Sequence, residues 1–206
     1  MGGNAFDFQS AWSHAWQALG ASVPAGLMEQ LLARYAEPHR RYHSQQHLHE
    51  CLAHLAPALH LAEHPGEVEI ALWFHDAIYE LKAQDNEAQS AQWAARSLAA
   101  AGLAPDVCER VVALVMATRH AALPPSGDAQ LLVDVDLAIL GAAPERFAEY
   151  ERQIREEYAW VPGWIFRRKR RAVLRQFLAR DPIYGTAHFR ERLETAARRN
   201  LAQAVR

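Results

Sequence analysis

Apolar residues recur at a spacing close to 3.6 along almost the whole of this 206-residue chain, and convincing strand alternation is nearly absent. Such a period places successive apolar side chains on one helical face, so the chain buries its core by packing helix on helix. Phe8, Ala11, Trp12, Ala15, Trp16 and Leu19 stripe a first helix, with Gly20 as its stop. Ser22 is expected to cap a second, carrying Leu27, Leu31 and Tyr35 and ending before Pro38. A long third helix is expected from about Ser44 to Ala62, with Leu48, Cys51, Leu52, Leu55 and Leu59 inward. Beyond the break at Pro65-Gly66, Val68, Ala71, Leu72 and His75 stripe a fourth helix, Ala91, Ala94 and Leu98 a fifth, and Val111, Leu114 and Val115 a sixth.

The segment from Ala121 to Asp128 carries Pro124-Pro125 and Gly127, a turn signal. Gln130 to Leu140 reads both ways: Val133, Val135, Leu137 and Ile139 alternate, yet Leu132, Asp136, Ile139 and Leu140 share a helical face. Helix is the expectation, with Gly141 as its C′ residue. Three further helices run through Phe147, Tyr150, Ile154 and Tyr158, through Phe166, Val173 and Phe177, and through Leu193, Ala197 and Leu201. No repeat or linker divides the chain, so one all-α domain over 1–206 is expected. Its core spans about 40–141, and the C-terminal helices of 144–206 pack on that core.

A net charge of −2 points to neither nucleic acid nor an acidic membrane surface. The basic run Arg167-Arg168-Lys169-Arg170-Arg171 follows acidic residues from Glu149 to Glu157 and reads as a solvated, salt-bridged helix face. Cys51 and Cys108 form no CxxC pair, no signal peptide is evident, and no apolar run nears the ~20 residues of a membrane helix. A cytoplasmic location fits; a homo-oligomer stays open.

Histidine is the composition's one oddity. Of 11, five crowd between positions 39 and 54, and His75 and His120 close apolar segments. His43 and His47, four residues apart, fall on one face at a helix start, where both could touch one metal or divide its tasks. His75 continues the apolar face of Val68, Ala71 and Leu72, while Asp76 points ~100° away on a regular helix. Asp136 has Leu132, Val133, Ile139 and Leu140 at i±3 and i±4, so its carboxylate is pushed toward the core, where a cation remedies its burial. Asp134, with Gln130 and Ala138 at i±4, is expected to be less buried, supporting the site from behind or facing solvent.

These elements in order, H…HD…D, resemble the HD superfamily of metal-dependent phosphohydrolases, and Tyr42-His43-…-His47 is similar to the YHNxxH segment of cyclic-nucleotide phosphodiesterases. Asp85-Asn86-Glu87-…-Ser90 and Asp136-Leu137-…-Leu140-Gly141 extend the likeness to a bacterial branch of predicted HD phosphohydrolases, over about Arg41 to Asn200. The resemblance implies an all-α, HD-domain-like bundle with His75, Asp76 and Asp136 as metal ligands. The ordinary HD pattern would make His43 the first ligand. The phosphodiesterase pattern gives that place to His47 and makes His43 the acid, and Tyr42 with the four-residue spacing matches the second. Ser44 stands where that pattern has Asn, and a cyclic-nucleotide substrate is not implied.

Two imidazoles and two carboxylates suit Mn²⁺, Fe²⁺, Co²⁺, Ni²⁺ or Zn²⁺, alone or together with Mg²⁺. Hydrolysis of a small phosphate ester or nucleotide is the expected reaction, with His43, Asp76 and Glu87 as catalytic residues. Arg40, Arg41, Lys82 and Arg119 flank the motifs and are the candidates to meet a substrate phosphate, Arg41, Lys82 and Arg119 foremost. His120 is a candidate for the substrate too, with a second metal or a helix C-terminal cap as its other readings. Trp73, Phe74 and Tyr79 are expected to pack rather than stack on substrate. A di-iron-type oxygenase on the same helices, or a metal- and nucleotide-binding sensor without turnover, are the alternatives.

Overall fold

A computed structural model describes residues 7–120, 124 and 127–206, and among these there is no strand. Ten α-helices carry the described chain: α1 (Phe8–Ala18), α2 (Leu27–Tyr35), α3 (Gln45–Leu55), α4 (Pro65–Phe74), α5 (Asn86–Ala100), α6 (Pro105–Ala117), α7 (Gly127–Asp136), α8 (Pro144–Glu157), α9 (Gly163–Leu178) and α10 (Ala187–Ala204). Two 3₁₀ turns, Ala56–Leu61 and Leu137–Gly141, follow α3 and α7 directly. None of the helices is long and apolar enough to cross a membrane.

Helix α4 is the centre. Every residue from Gly66 to Phe74 is buried, because the run Val-Glu-Ile-Ala-Leu-Trp-Phe has no continuous polar face to leave in water. Helices α1, α3, α5, α6 and α7 pack around it. Its two glutamates are buried and therefore need partners. Glu67 accepts a forked pair of hydrogen bonds from Arg110 at 2.7 and 2.8 Å, and Glu69 meets His14 Nδ1 at 2.6 Å. Trp12 packs edge-on against Trp16 and Trp73, with centroids 5.5 and 5.0 Å away. A Cβ at Gly66 would lie 2.9 Å from the Ala18 backbone, so the end of α1 crosses the start of α4 at a distance only glycine permits.

The C-terminal helices share this apolar core, with Leu174, Phe189, Ala197 and Leu201 buried in it. Helix α10 lies on the 3₁₀ turn after α7, where Asn200 donates to the carbonyls of Leu140 and Ala142 at 2.9 Å each. Helix α9 is looser; Leu174 is its sole buried residue, and its inner side faces a cavity.

Local expectations fail in four places. The third helix does not run to Ala62. It tightens to 3₁₀ at Ala56, next to Pro57, which has no N–H to continue the ladder. Helix α2 begins at Leu27 after Gly26 in the left-handed region, rather than at a Ser22 cap. Gln130–Leu140 is helical as expected, yet Gly141 belongs to the 3₁₀ turn. A Cβ there would meet Leu193 Cβ at 2.7 Å, so packing rather than capping calls for glycine. Of the expected turn, Gly127 and Asp128 open α7 instead, and 121–123 and 125–126 lie outside the described residues.

Candidate metal centre

Four side chains from three helices converge on one buried point. His47 lies in the first turn of α3, His75 and Asp76 just past the end of α4, and Asp136 at the last position of α7. His47 Nε2 is 3.2 Å from His75 Nε2, 3.1 Å from Asp136 Oδ1 and 3.6 Å from Asp76 Oδ2. His75 Nε2 is 3.1 Å from Asp76 Oδ2 and 3.7 Å from Asp136 Oδ1. Because α4 stops at Phe74, Asp76 leaves the helix and escapes the ~100° divergence a regular helix would impose.

His75 Nδ1 is spent on the Leu72 carbonyl at 2.7 Å, which fixes the ring and turns Nε2 inward. Two imidazole Nε2 atoms thus face each other beside two carboxylates. Donors bonded at 2.0–2.1 Å to one ion lie ~2.9 Å apart when octahedral and ~3.4 Å apart when tetrahedral. The observed separations, 3.1 to 3.7 Å, span the tetrahedral value and lie above the octahedral one. Cys51, one turn along α3, brings its Sγ to 3.6 Å from His47 Nδ1 and 3.7 Å from Nε2. His47, Cys51, His75 and Asp136 each offer a donor atom, all within 4.8 Å of one another, so the buried group could hold a metal ion.

Burial alone would raise the carboxyls of Asp76 and Asp136. Both are nevertheless held well below the usual range: His75, His43 and His47 do this for Asp76, and His120 and His47 for Asp136. Burial opposes charge on His75 too, but Asp76 and Asp136 outweigh it and push its pKa up to about 9. Burial and the same carboxylates push the Cys51 thiol up.

His43 takes no place among these donors. Its Nδ1 lies 2.8 Å from Glu157 Oε2, and its ring stacks on Tyr79 with centroids 4.0 Å apart. Glu157, the last residue of α8, has its side chain fully buried. Its Oε1 accepts the backbone N–H groups of Arg41, Tyr42 and His43 at 2.8, 2.8 and 3.0 Å, while Oε2 also accepts the Tyr79 hydroxyl at 3.0 Å. Burial opposes the ionised form, but His43 and these N–H groups hold the carboxyl at about 2. In return Glu157 and Asp76 raise the pKa of His43 against its own burial. No residue near Glu157 in sequence announces this role.

Asp76, Asp136, His43 and His120 line a cavity of about 760 Å³. Glu87, Lys82 and Arg119 line it too, as do Lys169 and Arg170 from the inner side of α9. Lys82 Nζ sits 5.2 Å over the Trp160 ring. His120 Nε2 lies 2.9 Å from Asp136 Oδ2, and Phe177 packs edge-on against its ring. Tyr79, expected only to pack, also lines the cavity. Glu87 is half-buried, and among the described residues no hydrogen bond or ion pair ties it to the donors. Its neighbours Asn86 and Ser90 are structural, closing the preceding loop through Glu80 and Ile78.

Three expectations are corrected here. Arg41 is exposed and does not line the cavity; it contributes its backbone N–H to Glu157. Arg40 is buried and structural, donating to the carbonyls of His43, Asp76 and Ala77 at 3.1, 2.6 and 3.0 Å, which joins the two histidine segments. Asp134 is more buried than Asp136, not less. It accepts from the Gly185 and Thr186 N–H groups and the Thr186 hydroxyl at 2.8, 2.7 and 2.6 Å, on the side away from the donors. The basic run divides: Arg170 pairs with Glu151 and covers Tyr150, while Arg167, Arg168 and Arg171 are exposed.

No family model, curated protein or solved structure matches the chain.

Proposed function

We propose that the chain is a metal-dependent phosphohydrolase of small phosphate esters or nucleotides, holding a divalent transition metal through His47, His75, Asp76 and Asp136. The observation that carries this reading is the convergence of two inward Nε2 atoms, 3.2 Å apart, with two carboxylates that line a cavity also lined by Lys82, Arg119 and Lys169. An ion held there supplies Lewis acidity and lowers the pKa of water toward about 7. Lys82, Arg119 and Lys169 would hold the substrate phosphate by charge, since they line the same cavity and the donors themselves are anionic.

His43 is the leaving-group acid in this reading. Its Nδ1 is committed to Glu157, so Nε2 is the nitrogen left for substrate, and against its own burial Glu157 and Asp76 favour the protonated ring. Glu157 positions the ring and holds that proton in place. Glu87 is our candidate to take a proton from water. The ordinary HD register, with His43 as ligand, is less favoured because His43 is engaged by Glu157 while His47 meets both Asp136 and His75.

A phosphate-release screen over nucleotides and sugar phosphates, run on metal-reconstituted protein, tests the reading. His43→Ala should retain metal and lose ~10²–10⁴-fold in turnover, and a substrate with a good leaving group should recover part of it. Absence of phosphate release from every substrate class, or full activity in His43→Ala, would contradict the proposal. Dioxygen consumption by iron-loaded protein would favour the oxygenase alternative instead.

A further inference from the structure

We infer that the outer face of α9 docks on an anionic phospholipid surface, with Trp164 set into the headgroup layer and Arg167, Arg168, Arg171 and Arg175 against its phosphates. This goes beyond the metal reading and does not depend on it. Two sets of side chains on α9 share one spacing, i, i+3, i+4, i+7 and i+11, offset from each other by two residues. Phe166, Lys169, Arg170, Val173 and Phe177 line the cavity. Trp164, Arg167, Arg168, Arg171 and Arg175 are the second set. At ~100° per residue they fall within an arc of ~100° on the opposite side of the helix. All five are exposed.

This outer stripe has nothing to neutralise it. The sequence predicts a salt-bridged face, but among the described residues Arg170 alone of the basic run meets a carboxylate, that of Glu151. Arg167, Arg168 and Arg171 have no ion pair and no side-chain hydrogen bond among the described residues, and Arg175 reaches only the Val205 carbonyl at 3.4 Å. The net charge of −2 is an average over the whole chain. At physiological salt the field of an exposed charge fades within ~8 Å, so a surface that meets α9 senses this local surplus and little of the rest.

Arginines alone suit any polyanion; the tryptophan is what favours lipid. Trp164 is 65 % exposed, and Trp160, four residues earlier, is 53 % exposed. With Val173 they are the large hydrophobic side chains left in solvent on or just before α9. An indole's amphipathic ring is at home between headgroups and acyl chains, and arginine stems can lie along the same apolar layer with their guanidiniums among the phosphates. A nucleic-acid duplex presents phosphates with no apolar layer beneath them. None of the described helices is long and apolar enough to cross a bilayer, so the contact is peripheral.

The test is co-sedimentation of the full chain with vesicles of phosphatidylcholine alone and of phosphatidylcholine mixed with phosphatidylserine. Binding is expected to the mixed vesicles only, weakening with added salt and moving tryptophan emission to shorter wavelength. One arginine near an anionic surface is worth about fivefold in partitioning, so replacing Arg167, Arg168 and Arg171 together by Gln should weaken binding by about a hundredfold. Should that triple variant fail to fold, Arg168→Gln and Arg171→Gln should each show the single loss, while Arg96→Gln, exposed on α5, should change little. Trp164→Ala should weaken binding and lose most of the emission shift. No binding of the wild type to mixed vesicles, unchanged binding when the arginines are replaced, or an emission shift that survives in Trp164→Ala would overturn the inference. Tighter binding to single- or double-stranded oligonucleotides than to mixed vesicles would overturn the lipid assignment and mark the stripe as a nucleic-acid surface.

Discussion

Replacing Glu157 by Gln removes a charge while changing little volume, and the structure says what that charge does. Oε1 takes three backbone N–H groups, and Oε2 takes His43 Nδ1 and the Tyr79 hydroxyl. A glutamine can keep its carbonyl toward the backbone, but its NH₂ then meets the His43 nitrogen and favours the neutral ring, protonated on Nε2. Burial resists ionisation of Glu157, yet His43 and the N–H groups bring its pKa from the usual 4.5 to about 2. At about 1.4 kcal/mol per tenfold change in proton affinity, this contributes about 3 kcal/mol to stability at neutral pH. Because the folded pKa is the lower one, the contribution is complete above pH ~4.5 and is withdrawn as pH falls toward ~2. Denaturant unfolding at a series of pH values should show Glu157→Gln less stable by about 2–3 kcal/mol at pH 7, with the gap from wild type closing between pH ~5 and ~2. NMR titration of the variant should also find the His43 pKa lower than in wild type, where Glu157 and Asp76 raise it. A constant gap across that acid range, or an unmoved His43, would refute the reasoning.

Asp134→Ala should retain metal yet lose about 2–3 kcal/mol, because three donors from Gly185 and Thr186 lose their buried acceptor; thermal unfolding and metal content read the two effects separately. Arg119→Ala or Lys169→Ala should raise KM or lower kcat/KM by about tenfold without metal loss, since each lines the cavity, while Arg41→Ala should leave the kinetics unchanged. An effect of Arg41→Ala as large as that of the other two would place the anion elsewhere.

The helical class was legible because the 3.6 period is a local property, repeated in nearly every segment. His75 and Asp136 could be singled out for the same reason, since the residues at i±3 and i±4 report which way a helix faces; Asp76 was reached only through the HD resemblance. What covers a face is not local. Asp134 looked the more exposed of two aspartates because its helical neighbours are polar or small, yet the turn at 185–186, far along the chain, closes over it. Glu157 lies 114 residues from the histidine it holds, and nothing in the charge pattern of α8 separates it from the surface glutamates beside it. Arg40 and Arg41 are adjacent in sequence and opposite in fate, one buried among carbonyls and one in solvent. Cys51 was visible as an inward position of α3, but its nearness to Asp136 depends on how α7 packs against α3.

The central claim is that His47, His75, Asp76 and Asp136 hold a divalent metal, and elemental analysis of the purified chain tests it most directly. The wild type should carry a divalent transition metal in stoichiometric amount, and Asp136→Ala and His75→Ala, each confirmed as folded by circular dichroism, should lose most of it. Wild-type protein that binds no metal on reconstitution, or a folded Asp136→Ala variant that keeps its full complement, would contradict the account.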